Sequence, residues 1–202
     1  MSKKLDPLSR SDKSLFLWIT LLCEMEEKVS RFLSGLLRHF PHKFGIKVDE
    51  NGWAKIEEVK AVLRRKYGVD RSFIEKIVMN DDKGRFELDR ERIRAKYGHT
   101  IPVNKEWSEK GRIPEKLYHG TNPKKLKSIM RLGLIPVKRL EVHLSRTVEE
   151  AVNVGKRHCR NPVVLEIDAK SMVEKGIKIR KKGEVFTTDS VSPEFIRILR
   201  KF

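Results

Sequence analysis

The chain has 202 residues, enough for one or two domains, and 39% of them are hydrophobic, an ordinary share for a protein with a packed core. Its 45 lysines and arginines outnumber 28 aspartates and glutamates, and the resulting charge of +17 predicts a polyanionic partner such as nucleic acid. The two cysteines, Cys23 and Cys159, lack CxxC spacing and paired histidines, which argues against a zinc site or a disulfide framework and favours a reducing, cytoplasmic compartment.

Residues 1–28 are predicted to be an N-terminal extension that contains a helix. The apolar run at residues 15–23 is about half the length that a membrane-spanning helix needs, so it cannot cross a bilayer. Acidic residues follow it where a signal peptide would have small residues, so secretion is disfavoured and no membrane contact is expected. A second helix begins at Val29, and a proline ends it, which puts Arg38 and His39 in its last turn.

The next part of the chain is predicted to form two more helices and a β-hairpin. One helix covers residues 56–66, and the other begins at Asp70, whose side chain can cap the first amide groups. Charged and apolar residues then alternate on both sides of an Asp-Arg turn, over residues 85–88 and 91–96, which indicates a hairpin. The alternation puts Arg94 with other basic side chains on one face of the ribbon, opposite the apolar face.

In the second half the pattern changes to short strands between short helices, so we predict an α+β protein. Residues 107–114 contain a glycine, a proline and several charges, and are interpreted as a linker. A helix is predicted over residues 123–132, with a proline near its start and Gly133 at its end. Thr147 and Glu150 form a capping box for the following helix. Strands are predicted near residues 117–119, 163–167, 177–180, 185–187 and 196–199.

Five short segments, rich in arginine, histidine and small residues, lie at the ends of predicted helices and strands. They are residues 33–41 (LSGLLRHFP), 93–100 (IRAKYGHT), 117–121 (LYHGT), 142–147 (VHLSRT) and 154–158 (VGKRH). The chain lacks a G-x-G-x-x-G loop, a Walker loop and an HExxH helix, so a Rossmann crevice is not indicated. Taken singly, each segment has a simpler explanation: Arg38 and His39 could complement a helix dipole, and Arg94 could be a solvated strand residue.

Together, in this order and at this spacing, the segments resemble the RNA 2′-phosphotransferase family of tRNA splicing, from about Val29 to the C-terminus. Residues 183–196 (GEVFTTDSVSPEFI) are similar to the last motif of that family. The resemblance implies an N-terminal winged-helix lobe over residues 29–106, a linker over residues 107–114 and a C-terminal ADP-ribosyltransferase-like lobe over residues 115–202. RNA and NAD would then meet in the cleft between the lobes.

The resemblance also implies which residues act. The catalytic set is Arg38, His39, Arg94 and Arg157. The set that binds NAD, which is consumed as a co-substrate, is His119, Gly120, Thr121, His143 and Ser145. The three arginines would clamp phosphate with permanently charged, forked donors, so no metal ion is expected. We expect Arg38 and Arg94 to lie at the surface of the cleft and not in the core.

The implied reaction moves an internal 2′-phosphate of RNA onto ADP-ribose. The phosphate attacks the anomeric carbon of the nicotinamide ribose, and nicotinamide leaves. A neighbouring ribose hydroxyl then attacks the phosphorus, which releases 2′-OH RNA and ADP-ribose 1″,2″-cyclic phosphate. His39 titrates near neutrality, which suits proton transfer or hydrogen bonding in the second step. Gly120 is expected to let the backbone approach a pyrophosphate or ribose closely.

Two alternatives remain open from the sequence. An enzyme that ADP-ribosylates terminal phosphates of RNA or DNA shares the first chemical step and releases no cyclic phosphate. A non-enzymatic winged-helix nucleic-acid binder is supported by the charge and the ribbon alone. Such a binder would lose only salt-dependent binding when Arg94 or Arg157 is replaced by alanine. We expect a monomeric enzyme that acts on RNA, in particular tRNA.

Overall fold

The computed structural model describes residues 10–201 and has a mixed α+β fold in that part of the chain. The helices are α1 (Arg10–Arg38), α2 (Ile56–Tyr67), α3 (Arg71–Met79), α4 (Leu126–Leu132), α5 (Val148–Lys156) and α6 (Ala169–Glu174), with 3-10 turns at Pro41–Phe44, Pro123–Lys125 and Pro193–Phe195. The strands are β1 (Trp53–Lys55), β2 (Phe86–Leu88), β3 (Arg92–Ala95), β4 (Lys116–Thr121), β5 (Val142–Ser145), β6 (Val163–Asp168), β7 (Arg180–Lys182), β8 (Val185–Thr188) and β9 (Ile196–Lys201). The first nine residues of the predicted extension, and Phe202, lie outside the described residues. Of the helices described, none is long and apolar enough to cross a membrane.

Helix α1 is longer than the sequence pattern predicts. We expected a separate helix to begin at Val29, but one continuous helix runs over Arg10–Arg38. The reason is local, because no glycine or proline interrupts residues 10–34. Side chains one turn apart also pair across the expected break, as Arg31 and Glu27 do. The second half of the helix packs into a hydrophobic cluster, which fixes the end that carries the predicted catalytic residues.

The first half of the chain contains a three-stranded antiparallel sheet with the order β1–β3–β2. The predicted hairpin is confirmed as β2 and β3, with Phe86 opposite Ala95. Asp70 is confirmed as the N-cap of α3, since its side chain accepts a hydrogen bond from the Phe73 amide. Strand β1 has only three residues and was not predicted, because so short a strand has no visible alternation. Helices α1, α2 and α3 pack against the sheet around one hydrophobic cluster.

The second half forms a six-stranded antiparallel sheet with the order β7–β8–β5–β4–β6–β9. Its hydrophobic cluster shares no residue with that of the first sheet. The capping box of Thr147 and Glu150 is confirmed at the start of α5. The strand predicted at residues 177–180 forms instead as β7, at Arg180–Lys182, because the Ile177 amide closes the turn after α6 by donating to the Met172 carbonyl at 2.9 Å.

Gly120 lies where β4 passes under α5. A Cβ atom at Gly120 would be 1.8 Å from the Ala151 carbonyl oxygen and 3.0 Å from the Gly155 amide nitrogen. Gly155 is equally confined, since its Cβ would lie 2.5 Å from Pro162. The two glycines let the helix pack directly on the strand, so packing alone requires glycine at position 120. This contact also sets the direction in which the end of α5 leaves the sheet.

Residues 107–114, the predicted linker, contain no helix or strand but contact both halves of the chain. The Trp107 ring packs on the Arg94 guanidinium, with Cζ 4.3 Å from the ring centre. The Glu109 amide donates to a carbonyl of β7 at 2.8 Å, and its carboxylate accepts from Lys96 Nζ at 2.8 Å. These contacts hold the end of β3 against β7, so the segment is a packed connection between the two sheets.

Candidate active site

The end of α1 meets the segment after β3 at Thr100. The Thr100 amide donates to the Arg38 carbonyl oxygen at 3.0 Å, and the Thr100 hydroxyl donates to the same oxygen at 3.4 Å. The hydroxyl oxygen also lies 3.1 Å from Nδ1 of His39. When Nδ1 of His39 carries the ring proton, it donates to the hydroxyl oxygen in this contact and Nε2 keeps its lone pair. Two of the five sequence segments are joined here.

Arg38 is 9% exposed, and within the described part of the chain its Nε and Nη2 atoms have no hydrogen-bonding partner. Its Cζ atom lies 4.8 Å from the centre of the Tyr97 ring. Burial lowers the pKa of Arg38 to about 10, and the positive charges of Arg139 and Arg85 also lower it. The guanidinium therefore stays charged at neutral pH, and its unpaired N–H groups suit an anionic ligand.

Arg94 is held between two tryptophan rings. Its Cζ atom lies 4.6 Å from the centre of the Trp53 ring and 4.3 Å from that of Trp107. Nε and Nη2 donate to Oε2 of Glu87 at 2.9 and 2.6 Å, and Nη1 donates to a backbone carbonyl at 3.2 Å. Arg94 is 6% exposed, so the expectation that it and Arg38 lie at the surface is wrong for both. The side chain does leave the sheet on the face opposite the core, and the tryptophans then cover it.

Strands β4 and β5 bring two histidines together at the centre of the large sheet. Where these two strands pair, Tyr118 lies opposite Ser145. Nδ1 of His119 donates to the His143 carbonyl at 3.0 Å, and Nδ1 of His143 donates to the Glu141 carbonyl at 3.1 Å. A carbonyl only accepts, so each neutral imidazole carries its proton on Nδ1 and presents a lone pair on Nε2. Nε2 of His143 is buried and has no partner among residues 10–201.

A polar cavity of about 20 Å³, room for one water molecule, lies between the two halves of the chain. It is lined by Asn51, Arg94, Ala95, Lys96, Gly98, His99, Val103, Asn104, Lys105, Trp107, Leu140, Glu141, His143 and Lys182. His99 is 7% exposed, and its Nε2 atom also has no partner in the described chain. The described residues contain no group of three or more His, Cys, Asp or Glu side chains that could hold a metal ion. Cationic and imidazole groups from both halves thus converge on one small polar space.

Arg139, in the segment before β5, connects this region electrostatically with Arg157. Desolvation lowers the pKa of His39 and of His143, and the charges of Arg38 and Arg139 lower both further. Desolvation also lowers the pKa of Arg139, and Arg157 lowers it further. Arg157 lies at the C-cap of α5 and is exposed. Arg139 is therefore within electrostatic range of Arg38 on one side and of Arg157 on the other.

Comparison with known proteins identifies the family. The model of the RNA 2′-phosphotransferase, Tpt1/KptA family matches residues 24–189. The chain belongs to this family. It is 55% identical over 181 residues to “Probable RNA 2′-phosphotransferase 2” of Archaeoglobus fulgidus, a match that covers 90% of this chain and 84% of that protein. It is also 45% identical over 161 residues to “Probable RNA 2′-phosphotransferase” of Pyrococcus horikoshii, with 79% and 90% covered. A protein of the same name from Thermococcus kodakarensis is 40% identical over 174 residues, with 85% and 96% covered.

The resemblance drawn from the five sequence segments is therefore confirmed, and the chain is an enzyme of the RNA 2′-phosphotransferase family. The structure gathers several predicted site residues of this enzyme around the cavity. Arg94 and His143 line the cavity. Arg38 packs on the Tyr97 ring, and Nδ1 of His119 donates to the His143 carbonyl. His39 is held next to Arg38 through Thr100, and Ser145 lies on β5 opposite Tyr118.

Seven of the nine predicted site residues of the enzyme do not line the cavity. They are Arg38, His39, His119, Gly120, Thr121, Ser145 and Arg157. Sequence reasoning also missed three residues of this region, which are Tyr97, His99 and Arg139. Tyr97 and His99 lie within residues 93–100, one of the five sequence segments, so their position in this segment could have indicated them. Arg139 had no comparable signal, because only the folded chain brings the segment before β5 beside α1.

We expect acid to destabilise this enzyme through His99 and His143, whose pKa values are lowered to about 3, chiefly by burial. Between pH 6.5 and about 3 the unfolded chain binds protons at these positions that the folded chain does not. The free energy of unfolding therefore falls as the pH drops through this window. By pH 5 each imidazole should lower it by about 2 kcal/mol relative to about pH 7.5. Urea unfolding at the two pH values measures the change.

His143→Gln removes one of these two buried imidazoles. The variant should lose about 2 kcal/mol less than the wild type between about pH 7.5 and pH 5. His42→Gln, at a solvent-exposed position of the first 3-10 turn, is the matched control and should follow the wild type. An unchanged pH dependence in His143→Gln would contradict a neutral, buried imidazole at this position.

Proposed function

We propose that the enzyme transfers an internal 2′-phosphate of RNA, in particular tRNA, to the ADP-ribose part of NAD, giving 2′-OH RNA, nicotinamide and ADP-ribose 1″,2″-cyclic phosphate. Membership of the family supports a reaction on RNA phosphate. The observation that carries the proposal is the set of buried, unpaired groups: N–H donors on Arg38, the lone pair on Nε2 of His143 and the unpaired Nε2 of His99. Guanidinium donors match phosphate oxygens and imidazole acceptors match ribose hydroxyls, so a ligand that contains both fits the region.

NAD fits the second-half groups by the same chemistry. When bound, it supplies an electrophilic anomeric carbon with nicotinamide as the leaving group. His119 and His143 accept hydrogen bonds from ribose hydroxyls through Nε2, since both carry their proton on Nδ1. Ser145 and Thr121 add hydroxyl groups on the same two strands. Gly120 contributes by letting α5 pack on β4, which keeps this end of the strand in place.

Arg38, Arg94 and Arg157 bind the transferred phosphate. Arg94 uses three of its five N–H groups within the protein, so the other two can reach a phosphate oxygen while Glu87 holds the guanidinium in place. His39 accepts the proton of the hydroxyl that attacks phosphorus, because burial and the charge of Arg38 lower its pKa and favour the neutral imidazole, which has one unprotonated nitrogen. Arg139 adds positive charge between Arg38 and Arg157.

The proposal divides the chain into functional lobes. A winged-helix lobe over residues 29–106 binds RNA, residues 107–114 connect the lobes, and an ADP-ribosyltransferase-like lobe over residues 115–202 binds NAD. Two sheets with separate hydrophobic clusters support this division. Three helices and a three-stranded antiparallel sheet ending in a hairpin match a winged helix in element content. Unpaired Cys23 and Cys159 suit a reducing compartment, which supports a cytoplasmic enzyme. The proposal takes the enzyme to be a monomer.

Incubation of the full chain with NAD and an RNA that carries a single internal 2′-phosphate tests the proposal. Mass spectrometry should detect RNA with a free 2′-hydroxyl, nicotinamide and the cyclic phosphate in equal amounts. The same RNA without its 2′-phosphate is the control and should consume no NAD. Stable ADP-ribosylated RNA ends without cyclic phosphate would instead indicate modification of terminal phosphates. If the folded protein binds RNA but consumes no NAD, its function is nucleic-acid binding without catalysis.

A further inference from the structure

Tyr97 lies between two side chains that present unpaired groups to the candidate site. Its ring centre is 4.8 Å from Cζ of Arg38 and 6.0 Å from the centre of the His143 ring. Tyr97 is 8% exposed, and its hydroxyl donates to the Lys83 carbonyl at 3.1 Å. The ring is thus fixed by packing and by a hydrogen bond at its far end. It contacts one residue from each half of the chain.

Arg38 needs such a support because its guanidinium has few polar contacts within the described residues. Nε and Nη2 have no hydrogen-bonding partner in the part of the chain that the structure describes, and a long side chain without such partners loses its position easily. The face of the Tyr97 ring attracts the cation. Gly98 lies alongside, since a Cβ atom there would be 3.5 Å from Cδ, Nε and Cζ of Arg38. Ring and backbone together define where the guanidinium lies.

We propose that Tyr97 is a positioning residue, whose ring holds the Arg38 guanidinium so that its free N–H groups face the transferred phosphate. This rests on the proposed function, in which Arg38 binds that phosphate. Tyr97 does not contact the reacting atoms and acts only through Arg38. A displacement of about 1 Å in a group that orients the reaction can lower the rate about 10²-fold, so loss of the ring should have an effect of that size.

Two variants separate the ring from the hydroxyl. Methionine at position 97 fills the space of the ring with a flexible apolar chain, whereas phenylalanine keeps the ring and loses the hydroxyl, with its bond to the Lys83 carbonyl and its polar interaction with Arg38. Tyr97→Met should lower kcat with NAD and 2′-phosphorylated RNA about 10²-fold. Tyr97→Phe should stay within about threefold of the wild type, because the ring alone supports the cation. Rates are measured below the unfolding temperature of each variant, so that a loss of stability does not enter them.

Phe195 is the matched control. It is 5% exposed, it belongs to the second hydrophobic cluster, and its ring centre lies 4.9 Å from Nζ of Lys175. Phe195→Met therefore removes a buried aromatic ring that also faces a cation but does not contact Arg38. Its kcat should equal that of the wild type. If Phe195→Met slows turnover as much as Tyr97→Met, the loss comes from weakened packing and the positioning role is overturned.

A double-mutant cycle with Arg38→Met decides whether Tyr97 acts through Arg38. In the Arg38→Met background, Tyr97→Met should change kcat by less than about threefold, because the group that the ring positions is already gone. An additional loss of about 10²-fold in that background, or a wild-type kcat for Tyr97→Met alone, would overturn the proposal. A wild-type chain that forms no product from NAD and 2′-phosphorylated RNA would overturn the proposed function, and this proposal with it.

Discussion

Replacement of Arg38 by methionine is expected to remove most of the turnover and to leave the fold equally or more stable. A guanidinium that stabilises phosphoryl charge contributes about 10³- to 10⁵-fold in rate, so a loss of at least about 10³-fold is expected. The fold does not need the group, because Nε and Nη2 have no partner among residues 10–201 and their burial opposes folding. Methionine keeps an unbranched apolar stem in the same space.

Single-turnover removal of the 2′-phosphate and urea unfolding, made on the same samples, measure the two effects of Arg38→Met. Arg31→Met is the matched control, since Arg31 lies on the same helix but is exposed and pairs with Glu27. It should keep the wild-type rate and change the free energy of unfolding by no more than about 0.5 kcal/mol. Normal turnover by Arg38→Met would exclude a role in phosphate binding. A clear loss of its stability would contradict the uncompensated burial of this arginine.

The unpaired groups of the site lie beside a buried network in which the charged groups are satisfied. Glu141 accepts from Lys182 Nζ at 2.6 Å and from Thr187 Oγ1 at 2.8 Å. Lys182 also donates to the Lys105 carbonyl at 2.8 Å, which ties the segment after β3 to the large sheet. Because this network connects the two halves, the polar cavity is maintained although Nε and Nη2 of Arg38 and Nε2 of His99 and His143 have no partner among residues 10–201. Hydrogen-bonded and unpaired buried polar groups thus lie next to each other in this region.

Local signals predicted several of the elements near the site but not β5, which carries His143 and Ser145. Asp70 bonds to an amide three residues on, and Thr147 and Glu150 bond to each other's backbone across one turn. Such contacts depend only on neighbouring residues, so the sequence alone predicts them. The alternation around the Asp-Arg turn likewise predicted β2 and β3, with Arg94 opposite the core. The same reasoning named Arg38 and His39 at the end of a helix, and α1 ends at Arg38.

Other features depend on residues that are distant in sequence, and these could not be predicted. Arg94 is buried because Trp53 and Trp107 cover it, and neither lies near it along the chain. Glycine is required at position 120 because the backbone of α5 lies directly against β4, and this contact forms only in the folded chain. His99 reaches the second half of the chain through a bond from the Leu140 amide to its carbonyl, at 3.2 Å. In each case the tertiary contact decides the role of the residue, and pattern alone does not reveal it.

Arg94→Ala is expected to impair both turnover and folding, in contrast to Arg38→Met. Loss of a phosphate-binding guanidinium should lower the rate at least about 10³-fold. The substitution also leaves two tryptophan rings without the cation packed between them, and Glu87 without its partner. The free energy of unfolding should fall by about 2–4 kcal/mol. The lower part of this range applies if water solvates Glu87, whose side chain is 38% exposed.

Two further variants separate the structural role of Arg94 from its chemical role. Arg94→Lys keeps the charge and can still pair with Glu87, so it should recover part of the stability. It should not recover turnover, because an ammonium group cannot bind a carboxylate and a phosphate as a planar fork does. Glu87→Gln leaves the guanidinium between Trp53 and Trp107 and should keep the rate within about tenfold of the wild type while lowering stability by about 1 kcal/mol. If Glu87→Gln instead stops turnover as completely as Arg94→Ala, the effect of Arg94 on the rate derives from its packing, and the phosphate must be bound by other groups.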